Sequence, residues 1–163
     1  MVAALLAERW ELPRAKEKYR ARITEGRIRP GGPRVVLMTP LTYMNESGKA
    51  AGPARGSKKI PLDRVIAVYD EIDLSFGEIR TRMGGGAAGH NGVKSLKQGF
   101  GSAEFWRIRI GVGRPEITDP ERVAGYVLGK FSESRQQVET LIDDAARETE
   151  RLVERIAAGE TGE

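Results

Sequence analysis

The only histidine of the chain, His90, stands beside Asn91 near the end of a run with three consecutive glycines, RTRMGGGAAGHNGVKSL from Arg80 to Leu96. Glycine lowers the cost of unusual backbone conformations, so the stretch reads as a loop leading into a polar pair. On both sides of it arginine alternates with apolar residues. In EIRTRM a period of two sends Ile79, Thr81 and Met83 to one face and Arg80 and Arg82 to the other; in WRIRI it separates Ile108 and Ile110 from Arg107 and Arg109. If the two strands are neighbours, four guanidiniums share one face beside the loop, with Lys94 and Lys97 close by, an arrangement suited to phosphate. A solvated sheet face would account for either strand alone; two such strands flanking one loop favour nucleic acid. Asp70 and Glu71 close the apolar run RVIAVY, and acids just past the C-terminal end of a strand are well placed for a site.

Gly84, Gly86 and Gly89 also match G-x-G-x-x-G between a strand and a helix. The strand before them carries arginines where that fingerprint needs a buried apolar strand. No acid ends a strand about 20 residues later to meet a ribose hydroxyl, so a dinucleotide site is the remote alternative.

The elements that must position these groups are mixed. Val2, Leu5, Leu6 and Trp10 form a helical stripe with no capping residue before it. Two strand-like runs, KYRARITE and RVVLM, flank the turn signal at Pro30 to Pro33 and predict a hairpin. In AAGPARGSKKIP, Gly52, Pro53 and Gly56 weaken any helix, and RVIAVY reads as a buried strand. EIRTRM and FWRIRIGVG are strands, with a short helix around Val93 to Lys97 between them. Asp119 with Pro120 opens one helix, and Ser134 with Gln137 makes a capping box for the last. That last helix carries Val138, Leu141, Ile142, Ala145, Thr149, Leu152, Val153 and Ile156 at helical spacing. Residues 158–163 read as a frayed tail.

A chain of 163 residues suits one domain with a real core. It holds no cysteine and one histidine, which excludes a disulfide framework, thiolate metal sites and His-rich metal sites, and suits a reducing cytosol. MVAALLA lacks a basic leader region and meets Glu8 and Arg9 at once, so it is neither a signal peptide nor a membrane span. The expectation is a soluble cytoplasmic protein. A net charge of +4 favours a polyanionic partner only where the cations gather on one surface.

Three segments, MTPLTYMNESGKA from Met38, VYDEIDLSFGEIRTRMGGGAAGHNGVKSL from Val68 and FWRIRIGVGRP from Phe105, resemble the bacterial-type peptidyl-tRNA hydrolases in order and spacing. The resemblance spans nearly the whole chain, including VAGYVLGKF and the final amphipathic helix. It implies a single α/β domain over residues 1–163, a twisted mixed sheet flanked by helices, monomeric and without metal or cofactor. The implied reaction is hydrolysis of the ester bond of peptidyl-tRNA, releasing peptide and free tRNA. Residue by residue, it implies that Tyr43 and Asn45 contact the terminal ribose and peptide, with Met44 in the cleft wall. Asp70 would orient the catalytic histidine, Asn91 would hold substrate and water, and Arg82 and Arg109 would clamp the 5′-phosphate of the tRNA. The same groups make sense bottom-up: ester hydrolysis needs a base near neutrality, a carboxylate to hold its tautomer and amide donors for the oxyanion. Read alone, Asn45 and Asn91 also suit simple helix N-caps, and Asp70 a strand-end turn.

The family's opening strand, its G-x-x-N-P-G loop and its T-R-H-N motif with the general-base histidine have no counterpart in this sequence. The expectation is an N-terminally incomplete domain with Met1 internal, inactive or nearly so as written. In the family, the histidine corresponding to His90 is not the base. Other departures are Ala87 and Ala88 in the flap, Tyr69 where histidine is frequent, and the broken AAGPARGSKK. The alternative is a non-catalytic RNA-binding relative that has lost its base; retention of Asp70 favours the hydrolase.

Overall fold

The structure, a computed structural model, describes residues 1–87, 90–113 and 135–159. The expectations at Asp119, Pro120, Ser134 and VAGYVLGKF, and those at Ala88, Gly89 and residues 160–163, lie outside the described residues.

The order of elements is α1 (Val2–Arg9), β1 (Lys16–Lys18), β2 (Ala21–Arg27), β3 (Arg34–Pro40), α2 (Ser47–Lys58), β4 (Ile66–Glu71), β5 (Ile79–Met83), α3 (Asn91–Phe100), β6 (Trp106–Gly111) and α4 (Arg135–Ala157). Short 3₁₀ turns at Met44–Glu46 and Leu62–Arg64 precede α2 and β4. The mixed α/β expectation holds, and the sheet falls into two three-stranded pieces among the described residues. One is the antiparallel meander β1-β2-β3, the other has the order β4-β6-β5, with β4 parallel and β5 antiparallel to β6. The expected hairpin is β2-β3, paired from Ala21↔Pro40 to Arg27↔Arg34. The run KYRARITE, read as one strand, instead folds back on itself between β1 and β2, with Tyr19 and Arg20 at the bend.

α4 holds the two sheets together. Its Ala146 and Val153 pack with Leu6, Trp10 and Ile28 and with Val35 and Leu37 of β3. Its Leu152 and Ile156 pack with Trp106 and Ile108 of β6 and with Ile66 and Val68 of β4. The apolar spacing read from the sequence is therefore used on two adjacent stripes of one helix. The indole of Trp10 donates to Glu150 at 2.8 Å, giving its polar edge a partner while the ring is buried.

Two expectations are corrected. AAGPARGSKKIP does not break the helix: α2 runs through Gly52, Pro53 and Gly56. Its glycines allow close packing, since a Cβ on Gly48 would stand 1.9 Å from the carbonyl oxygen of Ser95, and one on Gly52 2.9 Å from that of Gly99. The α2–α3 contact that follows repays the backbone hydrogen bond that Pro53 cannot donate. β4 is the second correction, because every residue but Glu71 is half-exposed rather than buried. Among the described residues it pairs on one side only, with β6.

Candidate functional site

β4 and β6 run parallel, so their C-terminal ends share one end of the sheet. The register places Tyr69 beside Arg109 and Arg109 opposite Arg80; one step away, Ala67 lies beside Arg107 and Arg107 opposite Arg82. The four arginines of the two strands thus occupy one face in two rows, as their alternation predicts. Ile66, Val68, Ile79, Met83, Trp106 and Ile108 fill the other face, against α4.

The arginines then diverge. Arg80 is exposed and donates to Glu78 at 3.0 Å. Arg107 is fully buried at 1% exposure, lies over the Phe105 ring at 4.6 Å, and donates to the carbonyls of Gly86 at 2.6 Å and Ala103 at 3.2 Å. It fastens the glycine loop to the sheet, a role that the repeating pattern of WRIRI could not separate from that of Arg109. Burial pulls the Arg107 guanidinium below its ordinary value, and the neighbouring charges of Arg82 and Arg109 act in the same direction, while Tyr69 opposes them. Arg82 is exposed. Its guanidinium carbon stands 2.7 Å from where a Cβ on Gly85 would be, so it lies over the loop backbone. Gly84 and Gly85, at φ 68° and 101°, adopt the left-handed backbone that glycine supplies. The Nε atoms of Arg107 and Arg109 are buried without a hydrogen-bond partner among the described residues.

His90 ends the loop as the N-cap of α3: its Nδ1 accepts from the backbone N–H of Val93 at 3.2 Å. The cap is therefore His90, and Asn91 is the first residue of a helix longer than Val93 to Lys97. A neutral His90 that accepts at Nδ1 carries its proton on Nε2. Burial holds its pKa below the ordinary value, against the raising influence of the Asp70 and Glu71 charges. The Tyr69 ring packs on it at 4.7 Å and 55°. Burial pushes the Tyr69 hydroxyl up, with Arg107 and Arg109 acting the other way.

The turn Met44–Glu46 closes the other side. A Cβ on Gly92 would lie 2.5 Å from Met44 Sδ and 2.9 Å from His90 Cε1, so the thioether and the imidazole meet over that glycine. Ser47 Oγ donates to the Met44 carbonyl at 2.8 Å, and Ser95 Oγ accepts from Gly48 N at 2.8 Å, tying the turn to α2 and α3. Tyr43 is 82% exposed, and Leu41 and Met44 are exposed beside it. Asn45 and Asn91 are exposed, and Asp70 is half-buried. Neither asparagine is an N-cap. The candidate residues thus fall into a cleft group of Met44, Tyr69, His90 and the elements bearing Asn45, Asn91 and Asp70, and an arginine group joined to it through Tyr69 and Arg109. Glu71, 6% exposed, is a buried carboxylate that the sequence marked only by position. Among the described residues no cluster of three or more His, Cys, Asp or Glu could hold a metal ion, and no helix is long and apolar enough to cross a membrane.

A sequence profile of the peptidyl-tRNA hydrolases matches residues 1–161. The chain belongs to the peptidyl-tRNA hydrolase family. It is 41% identical over 150 residues to the peptidyl-tRNA hydrolase of Acidiphilium cryptum, covering 90% of this chain and 76% of that protein. It is 42% identical over 158 residues to the one from Streptomyces coelicolor, covering 94% and 78%. The crystal structure of peptidyl-tRNA hydrolase from Acinetobacter baumannii superposes with a TM-score of 0.81 at 31% identity, covering 97% of this chain and 77% of that one. A complex of peptidyl-tRNA hydrolase with n-propanol matches equally, at 0.81 and 31%.

Proposed function

We propose that the cleft receives the 3′ end of peptidyl-tRNA and that the site serves hydrolysis of its ester bond, freeing peptide and tRNA in the cytoplasm, as a monomer and without metal or cofactor. The observation that carries this reading is the pair of arginine rows running from the glycine loop to Tyr69 and His90 on one sheet face. In the proposed pose Arg82 and Arg109 clamp the terminal phosphate, the exposed Tyr43 and Asn45 meet the ribose and peptide, and Asn91 holds substrate and the attacking water. The unpartnered Nε of Arg109 supports the clamp, since a buried donor without an acceptor is costly unless a ligand satisfies it.

His90 is a poor general base in this arrangement. Its Nδ1 lone pair is committed to the Val93 N–H, and the neutral ring offers Nε2–H as a donor. Base catalysis needs a free lone pair near the proton to be taken. Asp70 is proposed to orient a histidine that this sequence does not contain. The chain as written is expected to bind tRNA and to hydrolyse peptidyl-tRNA scarcely or not at all.

Replacing Arg82 and Arg109 together by alanine should weaken tRNA binding and make its salt dependence shallower by about one unit per lost phosphate contact. Unchanged affinity and slope would remove the clamp. In a chain extended with the family's T-R-H-N segment, Asp70→Asn should lower turnover by orders of magnitude with binding nearly intact. Full turnover by that variant would take Asp70 out of the mechanism. The second reading, a non-catalytic RNA binder, is favoured by the single, capped histidine, and binding without hydrolysis by the extended chain would establish it.

A further inference from the structure

Several cations spread over this protein face a carboxylate: Arg9 meets Asp143, Arg29 meets Glu154, Arg34 and Lys58 meet Glu25, and Arg80 meets Glu78. The β1–β2 hairpin is different. Residues 14–22, RAKEKYRAR, hold five Lys or Arg against one acid, a local excess equal to the +4 net charge of the whole chain. Arg14, Lys16, Lys18, Arg20 and Arg22 are all exposed, and none has a carboxylate within ion-pair distance among the described residues. Glu17, opposite Arg22 in the register, is the one acid of the stretch.

The bend of this hairpin is also unusual. Tyr19 and Arg20 have φ of 55° and 56°, the left-handed backbone that two-residue hairpin turns normally fill with Asn-Gly. Two large side chains hold these positions at a conformational cost, and strain of this kind concentrates where a side chain is needed. Tyr19 is held by Ser57 at its hydroxyl, at 2.5 Å, and Lys18 lies over its ring at 5.1 Å. The turn is joined directly to the cleft. The Arg20 carbonyl accepts from Leu41 N at 2.8 Å, so the bend lies against Leu41, two residues before the exposed Tyr43.

We infer that this hairpin is a second phosphate-binding surface, which contacts the RNA backbone on the side of Tyr43 away from Arg82 and Arg109. The inference rests on the reading of the cleft as an RNA site and extends it. Unneutralised cations on a short rigid turn beside an exposed aromatic suit single-stranded RNA, whose phosphates they pair with while a base stacks on the ring. An acidic peptide would find the same charges, but it has no base to stack on Tyr43.

The test uses a variant that should fold better. Tyr19→Asn with Arg20→Gly installs the preferred turn residues, and Lys18→Gln removes a second cation. This variant should melt at a higher temperature, bind tRNA and a single-stranded RNA oligonucleotide about tenfold or more weakly at about 0.1 M salt, and show a salt slope shallower by about two units. Glu17→Gln should strengthen binding. If the triple variant keeps full affinity and slope while Arg82→Ala with Arg109→Ala loses both, the hairpin inference is overturned and the cleft reading stands. A loss of affinity with an unchanged slope overturns it as well, because no phosphate contact has then been removed. Failure of the unaltered protein to bind either RNA, or tighter binding of a polyglutamate peptide than of the oligonucleotide, overturns the inference at its base.

Discussion

The residues of the site divide into those that hold and those that offer. Arg107, Ser95 and His90 spend their hydrogen-bonding groups on backbone: on Gly86 and Ala103, on Gly48, and on Val93. Arg82, Tyr43, Asn45 and Asn91 remain exposed. From sequence alone Arg107 and Arg109 are the same residue in the same alternation, and only burial tells the latch from the proposed clamp. His90 carries a pH consequence. Burial disfavours its imidazolium, so the folded chain keeps it neutral where the unfolded chain, titrating near its ordinary 6.5, has bound a proton. The unfolded state then holds more protons, and stability rises with pH. The contribution is complete above about pH 6.5 and is lost as the pH falls from there through the lowered folded value. Asp70 and Glu71 moderate the loss without reversing it. His90→Asn, which keeps a side-chain acceptor at the cap, should reduce the difference in melting temperature between about pH 7.5 and about pH 5.5. Equal pH dependence in the two proteins would show that some other group titrates there.

At the scale of elements, the glycines of α2 carry opposite meanings that a sequence cannot distinguish. Gly48 faces α3, where a Cβ would collide with the Ser95 backbone at 1.9 Å, whereas a Cβ on Gly56 would meet nothing within 4 Å. Gly48→Ala must push α2 and α3 apart and should cost about 2 kcal/mol or more, in the range of an overpacked core. Gly56→Ala should stabilise by about 0.5–1 kcal/mol, the ordinary gain within a helix. Urea denaturation of the two variants checks both; a shared sign would break the assignment of the contact. The strands and the long α4 were legible because their periods of two and 3.6 are imposed by burial on one face. α2 was not, since packing at glycine overrides propensity there. The β1–β2 bend was missed for a related reason: Tyr19 and Arg20 are not turn formers, and only the pairing of Lys18 with Ala21 reveals it.

For the whole molecule, the mixed α/β character could be read in advance, while the division into two sheets could not. An apolar run such as RVIAVY predicts a strand flanked on both sides, and pairing is decided by partners remote in sequence. Here β6 lies between β4 and β5, and its amides and carbonyls bond to neighbours on both sides. Among the described residues β3 and β4 each have one neighbour, and both lean on α4 through separate apolar clusters. An edge strand leaves alternate backbone groups unpaired and open to water or to another strand. Amide hydrogen exchange should therefore be slowest in β6 and in α4 between Ala145 and Ile156, where Ala145 and Leu152 are fully buried. In β4 the amides turned toward β6 should exchange slowly and those turned away should exchange fast, and β3 should behave in the same way toward β2. Uniformly slow exchange along β4 would mean that its outer edge is covered in solution. Sedimentation over a range of concentrations would then decide the cover: a mass that doubles identifies a second copy of the chain, and a constant monomer mass identifies pairing within the chain that the two-sheet description lacks.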